Sequence, residues 1–463
     1  MKKVVPKRFC EMKLPARASV WYIASGVFGK GIGFLATVIF TRLLTPYEFG
    51  EYAVYMSWLG IGEICVSSFI SSNVIYKGLG EHDDKKEFIN AVSGTFLILS
   101  TAFCVLLFTF SVSWGFEPIY FPFLLLQILL DGCVSVHLYG HKHRYSHRAV
   151  IISTLFEAVF SLILSILFIR YAKLGFWGRI FGNLIPTAFL YGFFLIKQGL
   201  PRLDRRFFGY LVPKVLPMLP SCIALALTTQ IDKLIINAHI GTDAAARYSV
   251  VHSVGALGMF LVGAVGSALH PWLNRKLKSQ SYEIITNVTE SLLDVFSAFS
   301  LFLIAMAPIG VRVLAPEEYS EALPAVLPIA ISIIPYFAAS LNNVRLIFLN
   351  QGRIISKISI LSGIVGIASN LLFVRLLGYF GAGLGIFLSS AVSYFSGAIL
   401  IDRFDSREIL PRKYLTRRLI LFSISAVGIF AFYHYPYFIP LILIFPALTL
   451  LTATLSAKRI VFE

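Results

Sequence analysis

Three basic side chains, Lys30, Lys233 and Arg345, lie inside long apolar segments of this chain. A cation at the centre of a membrane helix costs roughly 2.5–3.5 kcal/mol on insertion scales, so such residues generally face a bundle interior, a water-filled cavity or a counter-ion. Arginine also stays charged and can hold a phosphate bidentately. The three cations therefore predict a cationic cavity that receives an anion, with Arg345 the strongest candidate for phosphate.

The surroundings of Lys30 favour a position that lines a cavity. Its segment carries a stripe of small and polar residues that includes Gly33 and Thr37, because residues spaced by three, four and seven positions share a helical face. The alternative is that Lys30 pairs with a buried acid such as Glu63. Both interpretations remove the cation from contact with lipid.

The surroundings of Lys233 and Arg345 also leave two interpretations open. Thr229, Lys233 and Asn237 lie on one helical face, and the adjacent Asp232 points about 100° away from Lys233. Arg345 follows a polar patch that contains Asn342. For both cations, the competing interpretation is a structural ion pair with another helix.

Four acids also fall within apolar segments: Glu63, Asp131, Glu157 and Asp232. They raise the hypothesis that proton or sodium movement is coupled to the protein's activity. The sequence shows no cluster of them, and counter-ions for the buried cations are the favoured alternative. The sequence contains no nucleophile–base constellation, and we assign no catalytic residue and no cofactor.

The histidines that end the fourth apolar segment do not predict a metal site. They stand among basic residues with no cysteine or carboxylate inside the run, which favours a basic patch facing lipid headgroups over metal binding. The five cysteines form no CxxC pair, so neither a disulfide framework nor a thiolate site is indicated.

Composition identifies the elements that must position these groups. Hydrophobic residues make up 57% of the 463 residues, charged residues only 14%, and the mean hydropathy is +0.78. Apolar runs of about 18 residues or more recur along the chain, long enough to cross a bilayer. The sequence predicts an all-α polytopic membrane protein with about 14 transmembrane helices, of which the last two, 418–435 and 437–456, are separated mainly by Pro436.

The basic residues report orientation and exclude one class of partner. The net charge is +16, but lysine and arginine fall mostly in every second break between apolar segments. This is the positive-inside pattern, not the clustered face of a nucleic-acid-binding protein. It predicts that both termini are cytoplasmic and assigns only a few basic residues, including Arg179, to outside breaks.

A faint internal repeat predicts two lobes. Residues 45–54 and 241–250 are both short turns that end in a charged residue, tyrosine, a small residue and valine. Six predicted helices separate the copies, so the halves are parallel, and two halves around a central site are a recurrent transporter design. The predicted domains are an N-terminal lobe of helices 1–6 (1–205), a C-terminal lobe of helices 7–12 (206–405), and two extra helices with a tail (406–463).

The same turns carry a family resemblance. The sequence from Leu43 to Tyr52 resembles the first outside turn of Wzx-type polysaccharide flippases, members of the superfamily that includes multidrug and toxin extruders and lipid II flippases. Leu219 to Gly241 is similar to that family's seventh helix. Segments 315–319 and 379–385 are similar to its turns before the tenth and twelfth helices.

The resemblance implies a fold and a function. It implies two six-helix lobes in a V-shaped bundle that alternates its opening in the bacterial cytoplasmic (inner) membrane. It implies a substrate of oligosaccharide repeat units, for O-antigen or capsule, linked to undecaprenyl pyrophosphate. It also implies membrane lipids, a polysaccharide polymerase and a chain-length regulator as partners.

Within that expectation, polar residues of the predicted helices are candidates to line the cavity beside the three cations, with ordinary interhelical hydrogen bonding as the alternative. They are Thr37, Thr229, Asn237, His252, Asn342 and Asn370. The rival functions are a multidrug extruder and a lipid II flippase of the same superfamily. A membrane polymerase or ligase is disfavoured, because such enzymes carry a large outer loop and every predicted outside break is short.

Overall fold

The structure, a computed structural model, describes residues 31–67, 84–113, 117–143, 146–216, 219–405 and 407–431, with isolated residues at 28, 29, 75, 78, 79 and 81. These residues are helical apart from short connections, and none of the described residues is in a strand. Ten helices of the described part are long and apolar enough to cross a membrane. The predicted all-α polytopic membrane fold is confirmed; the last predicted helix, 437–456, lies outside the described residues.

The chain divides into two compact units, residues 1–226 and 227–463. The prediction of lobes at 1–205, 206–405 and 406–463 stays a prediction. The helices up to the division are α1 (Gly31–Leu43), α2 (Pro46–Ser67), α3 (Lys85–Ser113), α4 (Phe121–His143), α5 (His147–Arg170), α6 (Phe176–Gln198) and the short α7 (Arg205–Val215). Helix α8 (Leu219–His239) crosses the division.

The second unit continues from α8. Its helices are α9 (Thr242–Gly255), α10 (Leu257–Lys278), α11 (Tyr282–Leu314), α12 (Val326–Phe348, preceded by a 3-10 turn, Glu317–Ala325), α13 (Gly352–Leu377), α14 (Tyr379–Ile401) and α15 (Arg412–Ala431). In the span that contains α12, 78% of the most apolar stretch is buried, against 22–44% for the other candidate spans. Helix α12 is therefore the central helix of this unit.

Local chemistry explains where α2 begins. Glu48 accepts a hydrogen bond from the Thr45 backbone N–H at 3.0 Å, and the Glu48 N–H donates to Thr45 Oγ1 at 3.3 Å. This is a reciprocal capping box, and Pro46 occupies the first helical position, where its missing N–H costs nothing. The turn that carries the family resemblance is thus a helix start signal.

Helices α5 and α6 approach each other closely because glycine lines their contact. A side-chain carbon at Gly182 would collide with the backbone of Ser165, and one at Gly178 would collide with the end of α5. Lipid tails are as apolar as leucine, so membrane helices associate through close packing of small residues and through hydrogen bonds. The α5–α6 pair uses both.

Charged contacts fasten α15 to the second unit. Asp294 of α11 accepts hydrogen bonds from Tyr414 Oη at 2.9 Å and from Arg418 Nη2 at 2.8 Å. Before the helix begins, Thr289 Oγ1 donates to the Ile409 carbonyl at 2.7 Å. The thirteenth predicted helix is therefore an integral part of this unit.

Candidate functional site

Lys233 lies on the less buried side of α8. Thr229 is exposed and Lys233 and Asn237 are half-buried, whereas most of the intervening residues are buried. Lys233 Nζ reaches Gln230 Oε1 at 3.5 Å, and the amide oxygen of Asn237 is buried with no partner among the described residues. The structure therefore contains the predicted polar face of this helix. The packing of its own unit leaves that face partly exposed.

The Asp232 carboxylate contacts residues of α9, and its Oδ1 also accepts a hydrogen bond from the Lys233 backbone N–H at 2.9 Å. The carboxylate accepts a hydrogen bond from Tyr248 Oη at 2.7 Å and lies 3.8 Å from His252 Nε2. Asp232 and Tyr248 are both buried. The structure therefore brings Asp232 together with His252, and the lysine next to Asp232 in the sequence is left without this carboxylate as a side-chain partner.

Arg345 is held inside the second unit by a structural partner. Its Nη2 lies 2.7 Å from a carboxylate oxygen of Asp405 and donates to the Asp405 carbonyl at 3.1 Å. Arg345 is only 5% exposed, and nearby Asn342 donates to the Tyr394 carbonyl at 3.1 Å. This geometry matches the alternative interpretation of Arg345, and its role towards a phosphate stays a prediction.

The remaining predicted residues are spread over the molecule. Thr37 Oγ1 donates to the Gly33 carbonyl of its own helix at 3.1 Å. Asn370 is buried against Gly385 and donates to the Gly366 carbonyl at 2.9 Å. Lys30 lies outside the described residues, so the structure carries no information on the first predicted cation.

Three of the four predicted acids meet in the first unit. Glu63 of α2, Asp131 of α4 and Glu157 of α5 line one cavity of about 360 Å³, together with Ser135 and Tyr139. Glu63 and Asp131 are close enough to interact, and two charged carboxylates in one cavity repel each other. The sequence shows no acid cluster because these positions are far apart along the chain, and only helix packing joins them.

A ladder of polar side chains extends from this cavity along the contact between α5 and α6. Glu157, Ser161 and Ser165 on α5 face Thr187, Asn183 and Arg179 on α6. Thr187 Oγ1 donates to Glu157 at 3.1 Å, Ser161 is hydrogen-bonded to Asn183, and Arg179 Nη1 donates to Ser165 at 3.1 Å. We call these six residues the polar ladder.

The polar ladder is the feature that sequence reasoning missed. The signal was present, because each set of three residues is spaced four apart and therefore lies on one face of its helix. Arg179, assigned from charge counting to an outside break, is the fourth residue of α6. The two helices are antiparallel, so each of the three residues on α5 lies opposite one of the three residues on α6.

The tyrosines of the internal repeat occupy comparable positions in the two units. Tyr52 Oη accepts a hydrogen bond from Asn183 Nδ2 at 3.2 Å in the first unit. Tyr248 Oη donates to Asp232 in the second. Each tyrosine thus connects the helix after the repeated turn to a polar residue of another helix.

Comparison with known families decides which family the protein represents. A family model described as polysaccharide biosynthesis protein matches residues 39–324, more than half of the chain. The chain belongs to this polysaccharide biosynthesis family. A comparison with curated proteins gave no match.

Solved structures similar to this polysaccharide biosynthesis protein share its fold. An inward-facing multidrug resistance MATE family transporter of the MOP superfamily is 15% identical with a TM-score of 0.56, over 84% of this chain and 96% of that one. The lipid II flippase MurJ in an inward closed conformation is 12% identical with a TM-score of 0.59, over 96% and 100%. A mutant of the Vibrio cholerae MATE transporter VcmN is 15% identical with a TM-score of 0.55, over 86% and 98%.

These identities establish the fold alone, and the family match establishes the family. Together they confirm the resemblance to polysaccharide exporters of this superfamily that the turns and the seventh helix carry. The protein is a multi-pass membrane protein of the polysaccharide biosynthesis family, and it shares the fold of these solved transporters.

Proposed function

We propose that the protein is a flippase for oligosaccharide repeat units linked to undecaprenyl pyrophosphate. It moves them from the cytoplasmic to the periplasmic leaflet of the bacterial inner membrane by alternating access, with both termini cytoplasmic. The observation that carries this proposal is the polysaccharide biosynthesis family match on a chain with a transporter fold. The similarity to a lipid II flippase supports a lipid-linked glycan as the substrate class.

In this proposal, the cations provide the charge that a pyrophosphate needs while it leaves the headgroup region. Lys233 is the best-supported cation among the described residues, because it lies on a partly uncovered helical face with Thr229 and Asn237. The predicted role of Lys30 towards the anion stays part of this proposal. Arg345 can bind the pyrophosphate only if its ion pair with Asp405 breaks. In this respect it differs from the two lysines.

The carboxylate cavity supports cation coupling as part of the mechanism. Glu63, Asp131 and Glu157 lie in one cavity, and carboxyl groups inside a membrane generally mark proton or ion pathways. Thr187 connects this cavity to the polar ladder through its hydrogen bond to Glu157. Proton or sodium entry there is expected to drive the return of the empty transporter.

Complementation tests the proposed function. Full-length protein is expressed in a polysaccharide-producing host that lacks its own flippase, and surface polymer and membrane abundance are both measured. Lys30→Ala and Lys233→Ala are expected to lower surface polymer at normal abundance. Unchanged polymer in both single variants and in the double variant would remove the cationic-cavity mechanism.

Vesicle transport tests the coupling. Lipid-linked glycan translocation is measured with an imposed pH gradient or sodium gradient, for the wild-type protein and for Glu63→Gln and Asp131→Asn. We expect one gradient to accelerate transport and both variants to abolish that acceleration. Transport that is insensitive to both gradients would refute the coupling.

The carboxylate cavity also favours one rival function, a multidrug extruder. A cavity lined by Glu63, Asp131 and Glu157 suits a cationic substrate by charge. Resistance of the complemented host to lipophilic cations, lost in Glu157→Gln while surface polymer stays absent, would support the extruder over the flippase.

A further inference from the structure

Arg179 is held in a defined orientation inside the first unit. Its guanidinium lies 4.5 Å from the centre of the Phe40 ring and 5.3 Å from that of Tyr52, so two aromatic rings stabilise its charge. Its Nη1 donates to Ser165 at 3.1 Å and to Ser161 at 3.3 Å. The side chain is therefore oriented by three other helices before any ligand arrives.

These contacts leave one edge of the guanidinium without a partner. No carboxylate of the described residues lies within ion-pair distance of Arg179, and its Nε is buried with no hydrogen bond to them. Nη1 is fully used by the two serines. The free edge, formed by Nε and Nη2, is the one that an arginine uses to hold an oxyanion with two parallel hydrogen bonds.

Charge makes this arrangement unusual for a purely structural arginine. Arg179 is half-buried within a membrane-spanning helix, where a charge without a counter-charge is costly. The serines and rings lower this cost but supply no negative charge. The fixed geometry and the missing counter-charge together describe a site that is complete only with an anion.

We propose that the Nε–Nη2 edge of Arg179 binds a phosphate-class anion at the end of the first unit that is predicted to face outside. The ligand is the pyrophosphate of the transported lipid, which rests on the proposed function, or the headgroup phosphate of an anionic phospholipid. If the ligand is the pyrophosphate, Arg179 binds the transported lipid on the outer side.

The position of Arg179 on the polar ladder gives this site a connection to the carboxylate cavity. Ser161, which accepts from Arg179, is hydrogen-bonded to Asn183, and Thr187 one turn further on donates to Glu157. A shift of the guanidinium towards an anion on its other edge therefore changes the serine hydrogen bonds at the start of this path to a cavity carboxylate. Substrate arrival and cation binding would meet in one unit.

Ligand binding to the purified full-length protein tests the site. The protein is placed in nanodiscs of phosphatidylcholine, and native mass spectrometry measures the affinity for undecaprenyl pyrophosphate, phosphatidylglycerol and undecaprenol. The variants are Arg179→Gln, which removes the charge, and Arg179→Lys, which keeps the charge but removes the two-bond edge. Arg170→Gln is the matched control, because Arg170 ends α5 at the same end of the unit and is exposed.

We expect Arg179→Gln to weaken undecaprenyl pyrophosphate binding by about tenfold, as for the loss of a charged hydrogen bond, and Arg179→Lys to weaken it by less. Arg170→Gln and all measurements with undecaprenol are expected to stay within about twofold of wild type. An equal loss of phosphatidylglycerol binding would support the phosphate site and assign it to a phospholipid. Unchanged affinity for both anions in folded Arg179→Lys and Arg179→Gln protein would overturn the proposal.

The binding experiment and the complementation assay together separate this site from the proposed function. If the wild-type protein restores surface polymer and Arg179 variants bind the pyrophosphate normally, the flippase proposal stands and the Arg179 site fails. If the wild-type protein restores no polymer but binds phosphatidylglycerol in an Arg179-dependent way, the site stands and the flippase proposal fails.

Discussion

The pair between Arg345 and Asp405 yields a prediction that separates structure from substrate binding. Replacing Asp405 by asparagine removes the carboxylate charge at 2.7 Å from Nη2 and keeps the side-chain shape. Breaking a buried pair costs about 3–5 kcal/mol. Because the Asp405 side chain is 20% exposed, water compensates part of this loss, and we expect Asp405→Asn to destabilise the protein by about 2–3 kcal/mol.

The assay is thermal unfolding of the full-length protein in detergent, followed by the fluorescence of its tryptophans. A loss of about 2–3 kcal/mol corresponds to a fall in Tm of roughly 5–10 °C for a domain of this size. Arg345→Met is expected to lower Tm similarly. The Arg345→Met/Asp405→Asn double variant is expected to lose less than the sum of the single variants, because it leaves no buried unpaired charge.

The same pair predicts how stability depends on pH. Burial by itself would raise the pKa of Asp405, but hydrogen bonds from Arg345 and from the Arg407 backbone outweigh it, so its pKa lies below the ordinary value. A carboxylate with a depressed pKa contributes its full stability above the unfolded pKa of about 3.9. That contribution is lost as the pH falls through the lower, folded pKa, and Asp405→Asn should remove this acidic part of the profile.

A substrate role for Arg345 makes the opposite prediction. If Arg345 serves to hold a phosphate, Asp405→Asn frees it, and the free energy of unfolding changes by less than about 1 kcal/mol while pyrophosphate affinity rises. Two results together would refute the structural role that the distances and burial assign to Arg345. The effects of the single variants would add up in the double variant, and Asp405→Asn would leave Tm unchanged.

Three further variants test the packing and the start of the helices. Gly182→Ala should lower Tm by an amount equivalent to about 1–3 kcal/mol, because its methyl group collides with the backbone of α5, whereas Gly192→Ala on the same helix meets open space and serves as the control. Tyr248→Phe removes the hydroxyl bonded to buried Asp232 and should cost about 1–3 kcal/mol in the same assay; an unchanged Tm would contradict the assignment of this bond. Glu48→Ala opens the capping box of α2 and should cost about 1 kcal/mol, with no effect if the turn is held only by tertiary contacts.

The sequence predicts well what depends on one helix at a time. Apolar runs identify the spans because a helix needs about 20 apolar residues to cross the bilayer. The apolar runs at 177–196 and 381–401, for example, correspond to the helices Phe176–Gln198 and Tyr379–Ile401. The apolar run 211–239 falls on two helices of the structure, α7, which ends at Val215, and α8, which begins at Leu219.

The partners of the buried charges are harder to predict from sequence. Spacing places Lys233 on a polar face of its helix, and the structure agrees, because a face is a local property. The partner of Arg345 lies 60 residues further along, in a connection that carries no periodic signal. The acid cavity likewise requires the packing of α2, α4 and α5, which spacing within one segment does not determine.

The sequence by itself thus determined that the chain is a helical membrane protein, which residues lie within its spans, and which family its turns resemble. Hydrophobicity and helical periodicity act within a segment, so they can be recognised in the order of residues. Only the tertiary structure decided that Asp232 is hydrogen-bonded to Tyr248 and that Arg345 is paired with Asp405. It also decided that one edge of the Arg179 guanidinium has no partner among the described residues. The apolar environment makes the position of each neighbouring charge decisive, because an ion without a partner there is far more costly than in water.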